Sequence, residues 1–149
     1  MKKEKMIEGV VVTPLRMIIG EFSVVLHAMK QTEPTFCGFG EAYFSSVKKN
    51  VINAWKRHRE ATQNLVVPCG EIKFVLYDDR INSPTYGEFY EIILSRQNYQ
   101  RLTIPSMVWY GFKGLEKGLN MLMNVSDIPH DSNEADREDI SFIPYNWEK

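Results

Sequence analysis

The chain has 149 residues, about the length of one domain, and its 44% hydrophobic and 25% charged content excludes collagen-like, coiled-coil and intrinsically disordered classes. Eighteen basic and nineteen acidic side chains leave a formal charge of −1, which removes the global electrostatic argument for a nucleic-acid partner. Two cysteines, Cys37 and Cys69, are too few for a disulfide scaffold and too far apart for a Cys-x-x-Cys site, so a reducing cytoplasm is the default compartment.

The N-terminal MKKEKMIEGVVV begins with basic residues, but its apolar run stops at Thr13 and Pro14, short of a signal-peptide core. The next apolar stretch, MIIGEFSVVLHAM, is broken by Glu21 and His27, which excludes a membrane-spanning helix. His27 there reads as a buried residue with its hydrogen bonds satisfied. Short runs rich in Val, Ile, Phe and Tyr predict strands over 9–12, 64–68, 71–78, 89–94, 102–105 and 119–125, separated by turn chemistry at PCG, DDRINSP and KGLEKG. Segment 45–61 has the best helical patterning, yet its cations fall on every side and its β-branched residues disfavour a helix. VINAWKRH, 51–58, is therefore read as a further strand.

That strand carries the chemistry. Alternation places Lys56 and His58 on one face and Trp55 and Arg57 on the other. If the first face lines a barrel mouth, Lys56 and His58 stand side by side in a pocket. With Lys48, Lys49, Arg57 and Arg59, Lys56 makes the middle of the chain locally basic, which suits a phosphate-bearing small ligand. The blander reading of His58 is a rim histidine bonded to a neighbour, and of the basic run a solvated face. Trp55 and Trp109 suit core or interface positions, given the area such rings bury. Arg80 and the run from Ser83 to Gly87 read as a hairpin connection in which the arginine pairs a carboxylate. The polar stretch HDSNEADRED, 130–139, is read as a solvated loop before a last strand, ISFIPYNW. Many short strands at close intervals point to an all-β sandwich or barrel, one domain over residues 1–149.

The stretch GEIKFVLYDDRINSPTYGEF, with Gly70, Glu71, Asp78, Arg80, Ser83, Pro84, Thr85, Tyr86 and Gly87, resembles the dTDP-4-dehydrorhamnose 3,5-epimerase family of small cupins. The resemblance continues through Leu102, Ile104 and Pro105, through SDIPHD, and upstream through residues 39–58. It implies a cupin double-stranded β-helix, that is, a jelly-roll barrel. It further implies a homodimer without a cofactor and a nucleotide-sugar ligand, a 4-keto-6-deoxyhexose of surface polysaccharide biosynthesis, held in the barrel mouth.

The resemblance also implies roles for residues. Lys56-x-His58 and Gln63 fall where metal-binding cupins keep two histidines and a glutamate, and Tyr110 where they keep a third histidine. Lysine, glutamine and neutral tyrosine are poor ligands for a dication, so no metal site is expected. In the epimerases a base removes a proton beside the ketone, an acid returns one on the other face, and a donor or cation near O4 stabilises the enolate. Here the family's arginine, glycine and base histidine align with Asn53, Ala54 and Lys56, its acid tyrosine with Met123 and its sugar-contacting lysine with Asn64. The aspartate that orients the base has no counterpart before Lys149. Lys56, His58 and Tyr110 are thus the candidate catalytic residues, with Lys56 either a base or a cation for the enolate. Glu41, Tyr43, Asn53, Asn64 and Trp109 are the candidate substrate contacts. Two functions stay open: an epimerase or ketoisomerase, and a non-catalytic cupin that binds a sugar nucleotide or a partner enzyme.

Overall fold

The computed structural model describes residues 5–148. Twelve strands run through them: β1 Val11–Pro14, β2 Met17–Ile19, β3 Val24–Leu26, β4 Glu41–Ser46, β5 Ile52–His58, β6 Gln63–Cys69, β7 Ile72–Tyr77, β8 Phe89–Leu94, β9 Gln100–Ile104, β10 Trp109–Gly114, β11 Met121–Ser126 and β12 Ala135–Arg137. They form two five-stranded antiparallel sheets, ordered β1-β9-β6-β11-β4 and β12-β5-β10-β7-β8, and a separate β2-β3 hairpin. This is the expected jelly roll. Among the described residues no helix is long and apolar enough to cross a membrane.

The inner faces of the two sheets share one core. Ile72, Phe74 and Leu76 of β7 meet Leu65 of β6, Leu102 of β9 and Leu122 of β11, all of them buried. Each such side chain contributes about 1.5–3 kcal/mol of burial. The sheets can close because Gly70, with φ +76, turns the chain between β6 and β7 where a Cβ would stand 2.4 Å from the Leu119 carbonyl.

A second core lies on the outer face of the other sheet, around Trp55, Val75, Trp109, Ile143 and Trp147. The C-terminal segment builds it, and here the sequence reading needs correcting. Residues 140–147 form no strand: a single 3-10 turn spans Ile140–Phe142, with Asp139 accepting the Ser141 N–H, and Pro144 then denies the ladder a donor. Ile143 and Trp147 dock as separate anchors, and the Trp147 carbonyl accepts Lys113 Nζ at 3.0 Å. The preceding polar stretch is likewise more than a loop. It contains β12, an edge strand paired with β5, whose Asp136 is gripped by Arg57 Nη2 at 2.7 Å and Arg59 Nη2 at 2.6 Å.

Four more elements were not expected. β2 and β3 are short and exposed, β4 is mostly exposed, and β10 is buried on both faces, so none shows the alternation that marks a half-buried strand. The DDRINSP connection follows the reading: Asp78 accepts from Arg80 Nε at 2.8 Å, Ser83 Oγ at 2.6 Å and Thr85 Oγ1 at 2.7 Å. His27 is half-buried, and its carbonyl accepts the Tyr99 hydroxyl.

Candidate functional site

β5 positions the reactive side chains. Its register against β10 runs Tyr110↔Lys56 and then Phe112↔Asn53, so β5 carries one extra residue in a bulge. The bulge turns Asn53 and Lys56 to the same side, three residues apart. Gly111 lies at this point, where a Cβ would stand 2.6 Å from the Ala54 Cβ. Beyond the bulge normal alternation resumes, with Lys56 and His58 inward and Trp55 and Arg57 outward. The Met107 N–H donates to the His58 carbonyl at 2.6 Å and pins the end of the strand.

The inward face opens on a cavity of about 180 Å³, walled by Asn53, Lys56, Tyr110 and Phe112 on one side and by Tyr43, Ser45, Leu65 and Leu122 on the other. A cleft shares Tyr43 and Lys56 with it and continues past Glu41, His58, Gln63, Glu134 and Arg137 to His130. Lys56, His58, Tyr110, Glu41, Tyr43 and Asn53 therefore line two adjoining spaces that meet at Tyr43 and Lys56.

Two expected contacts do not reach it. Trp109 sits on the outer face of β10, where its Nε1 donates to Asp79 Oδ2 at 2.9 Å and the Arg57 guanidinium stacks 4.6 Å from its ring. Its neighbour Tyr110 takes the inner face, and a strand cannot give both to the cavity. Asn64 is outward for the same reason: Leu65 faces inward, while Asn64 Oδ1 accepts the Thr103 hydroxyl at 2.7 Å. Met123, paired with Phe44 and Val66 on β11, alternates with Leu122 and Asn124, so the inward position there belongs to Asn124.

The central finding is a carboxylate that sequence reading missed. Glu134 Oε2 lies 2.7 Å from His58 Nδ1, and Glu134 Oε1 accepts the N–H groups of Glu60 and Ala61 at 3.1 and 2.8 Å. These hydrogen bonds hold Glu134 below the ordinary carboxylate range against the opposing effect of burial. An ionised Glu134 requires the proton of a neutral imidazole on Nδ1, leaving the lone pair on Nε2. That atom accepts the Tyr110 hydroxyl at 3.3 Å. Nothing local marks Glu134, which belongs to a polar stretch 76 residues downstream of His58.

Burial chiefly pushes the His58 pKa below its usual value; the Glu134 hydrogen bond opposes this and the Lys56 charge adds to it. Lys56 is lowered as well, by burial first and then by Arg137, with Glu134 and Glu41 opposing. Burial drives the Tyr110 phenol well above its ordinary range, so it remains a donor. A histidine whose tautomer is fixed by a carboxylate therefore stands beside a lysine on this wall. Such a set can remove a proton next to a carbonyl and stabilise an enolate oxygen. Among the described residues no three His, Cys, Asp or Glu side chains group closely enough to hold a metal ion.

A family model described as dTDP-4-dehydrorhamnose 3,5-epimerase matches residues 14–141. The "Probable low-salt glycan biosynthesis epimerase Agl13" of Haloferax volcanii is 35% identical over 102 residues, covering 68% of this chain and 65% of that protein. The chain thus spans a little under two thirds of that relative's length. The "Spore coat polysaccharide biosynthesis protein SpsL" of Bacillus subtilis is 26% identical over 146 residues, covering 95% of this chain and 97% of that one. The crystal structure of a dTDP sugar isomerase from Desulfovibrio desulfuricans G20 aligns with a TM-score of 0.91 at 43% identity, over 95% of this chain and 92% of that chain.

Proposed function

The chain belongs to the dTDP-4-dehydrorhamnose 3,5-epimerase family, and from that premise we propose that it is an epimerase or ketoisomerase of a nucleotide-linked 4-keto-6-deoxyhexose, needing no metal, in surface polysaccharide biosynthesis. The observation that carries this is the His58–Glu134 pair on the wall of the cleft that adjoins the cavity. The family's base position holds Lys56, but an orienting carboxylate, which makes a histidine an effective base, and a cation for the enolate oxygen are assembled around His58 instead. The Tyr110 hydroxyl turns from His58 Nε2 to the substrate, and the freed Nε2 takes the proton alpha to the ketone. Lys56 stays charged and meets the oxygen of the enolate. Glu41 and Tyr43 face the same space and contact the substrate.

The test is incubation with dTDP-4-keto-6-deoxyglucose in deuterium oxide. Exchange at C3 or C5 that vanishes in His58→Asn supports the reading. Tight binding without exchange supports the second one, a non-catalytic sugar-nucleotide cupin, which the lysine at the base position favours. The reading extends to a single domain over residues 1–149, to a homodimer joined through the exposed apolar hairpin β2-β3, and to a cytoplasmic location. Free Cys37 and Cys69 fit a reducing compartment.

A further inference from the structure

Inverting a carbon beside a ketone needs a proton donor on the side of the sugar away from the base, and the wall facing His58 and Lys56 offers a hydroxyl whose hydrogen is unused. Tyr43 projects from β4 into both the cavity and the cleft. Its orientation follows from a chain of hydrogen bonds. Asn124 Oδ1 accepts the Asn64 N–H at 3.2 Å, which fixes the amide so that Nδ2 donates to the Tyr43 hydroxyl oxygen at 3.0 Å and to Gln63 Oε1. Gln63 Nε2 donates to Ser126 Oγ at 3.3 Å, and that hydroxyl donates to the Ile128 carbonyl at 2.9 Å. Donors and acceptors are therefore assigned along the whole chain, with the Tyr43 oxygen an acceptor in it. Its own hydrogen must point elsewhere, and among the described residues no acceptor meets it. Tyr43 lines the cavity, so that hydrogen is available to a ligand bound there. Ser45 shares this wall, but an alkanol is a far weaker acid than a phenol.

We propose that Tyr43 is the general acid that returns a proton to the sugar carbon on the face opposite His58, a role that rests on the epimerase or isomerase reading above. His58 Nε2 takes the proton from the carbon; the C–H electron pair becomes the C=C bond and the carbonyl π pair moves to oxygen. The enolate then collapses back to the ketone as its C=C pair takes the Tyr43 O–H proton on the other face, leaving a phenolate. The Asn124 amide N–H steadies that phenolate. Solvent reprotonates Tyr43 and takes the proton from the His58 imidazolium, which closes the cycle.

The test uses the intact protein and dTDP-4-keto-6-deoxyglucose in deuterium oxide, reading exchange and inversion separately by NMR. Tyr43→Phe loses one hydroxyl at a partly exposed ring, so it folds, which a thermal melt checks. Its expected behaviour is exchange within a few-fold of wild type, because His58 still removes a proton and returns a deuteron on the same face, while inverted product falls about 100-fold. His58→Asn loses both. Inversion within about threefold of wild type in Tyr43→Phe overturns the proposal, as does a parallel loss of exchange and inversion. Absence of exchange in the wild type overturns the underlying enzymatic reading, and the role of Tyr43 falls with it.

Discussion

His58 and Glu134 meet at 2.7 Å across the pairing of β5 with the edge strand β12, and the contact decides which imidazole nitrogen is basic. Glutamine at 134 keeps the shape but presents an amide that is indifferent to the tautomer. Glu134→Gln is expected to lower kcat by about 100-fold or more with little change in KM. The pH profile carries the sign. In its proposed role His58 works as a base only when neutral, so kcat/KM is expected to rise as pH rises through the His58 pKa, which lies below the usual histidine value. The Glu134 hydrogen bond raises that pKa, and its removal moves the acid limb to lower pH. An unshifted acid limb would show that His58 is not the titrating base.

Lys56 predicts the opposite displacement. Its charge lowers the His58 pKa, so Lys56→Met moves the acid limb of the residual activity to higher pH. With Lys56 in its proposed place at the enolate oxygen, its loss is expected to cost about 100-fold in kcat. Were Lys56 itself the base, as its position in the family pattern allows, Lys56→Met would abolish deuterium exchange altogether. The two roles separate in one exchange experiment.

Much of this architecture was legible in the sequence because β6, β7, β8, β9 and β11 are runs of β-branched and aromatic residues between turn signals. Strand β5 was legible as well, and with it the shared face of Lys56 and His58. The bulge was not, since period 2 places Asn53 and Lys56 on opposite faces and only the register against β10 reverses that. Strand β12 was hidden because an edge strand of three residues held by Arg57 and Arg59 on Asp136 has no hydrophobic pattern to read. Glu134 was hidden with it. Trp109 misled for a related reason: its neighbour Tyr110 is the inward residue, and a strand buried on both faces gives no cue to which side is which.

Asp78 offers a test of stability apart from catalysis. Its side chain is fully buried and accepts from Arg80, Ser83 and Thr85, and these hydrogen bonds outweigh burial to hold its pKa far below the ordinary carboxylate value. A depressed folded-state pKa contributes stability that is complete above the unfolded value of about 3.9 and is lost as pH falls from there towards the folded value. Asp78→Asn is expected to cost about 2–3 kcal/mol in urea unfolding at pH 7, the lower part of the buried-pair range because Arg80 reaches solvent. The difference from wild type should shrink once the pH is taken below about 4. A difference that stays constant down to pH 2 would contradict the assignment of that stability to the ionised carboxylate.

The hairpin β2-β3 predicts the oligomeric state. Phe22 at its tip is 92% exposed and Ile19 74%, with Met17, Ile18, Val24 and Val25 beside them, an apolar surface larger than isolated surface residues would leave. A hairpin of two three-residue strands is marginal in water, so a partner that covers it also holds it folded. A second copy offers the same surface across a two-fold axis, the arrangement most homo-oligomers adopt, and a stable interface of this kind covers about 800 Å² per partner. Light scattering of the wild type should therefore give twice the chain mass, and the double substitution Ile19→Ser with Phe22→Ser should shift it towards the monomer at micromolar concentration. Because the cavity walls come from the two large sheets and not from the hairpin, circular dichroism and the melting of the barrel should change little in that variant. A wild type that is monomeric across the same concentrations would remove the hairpin as a dimer contact.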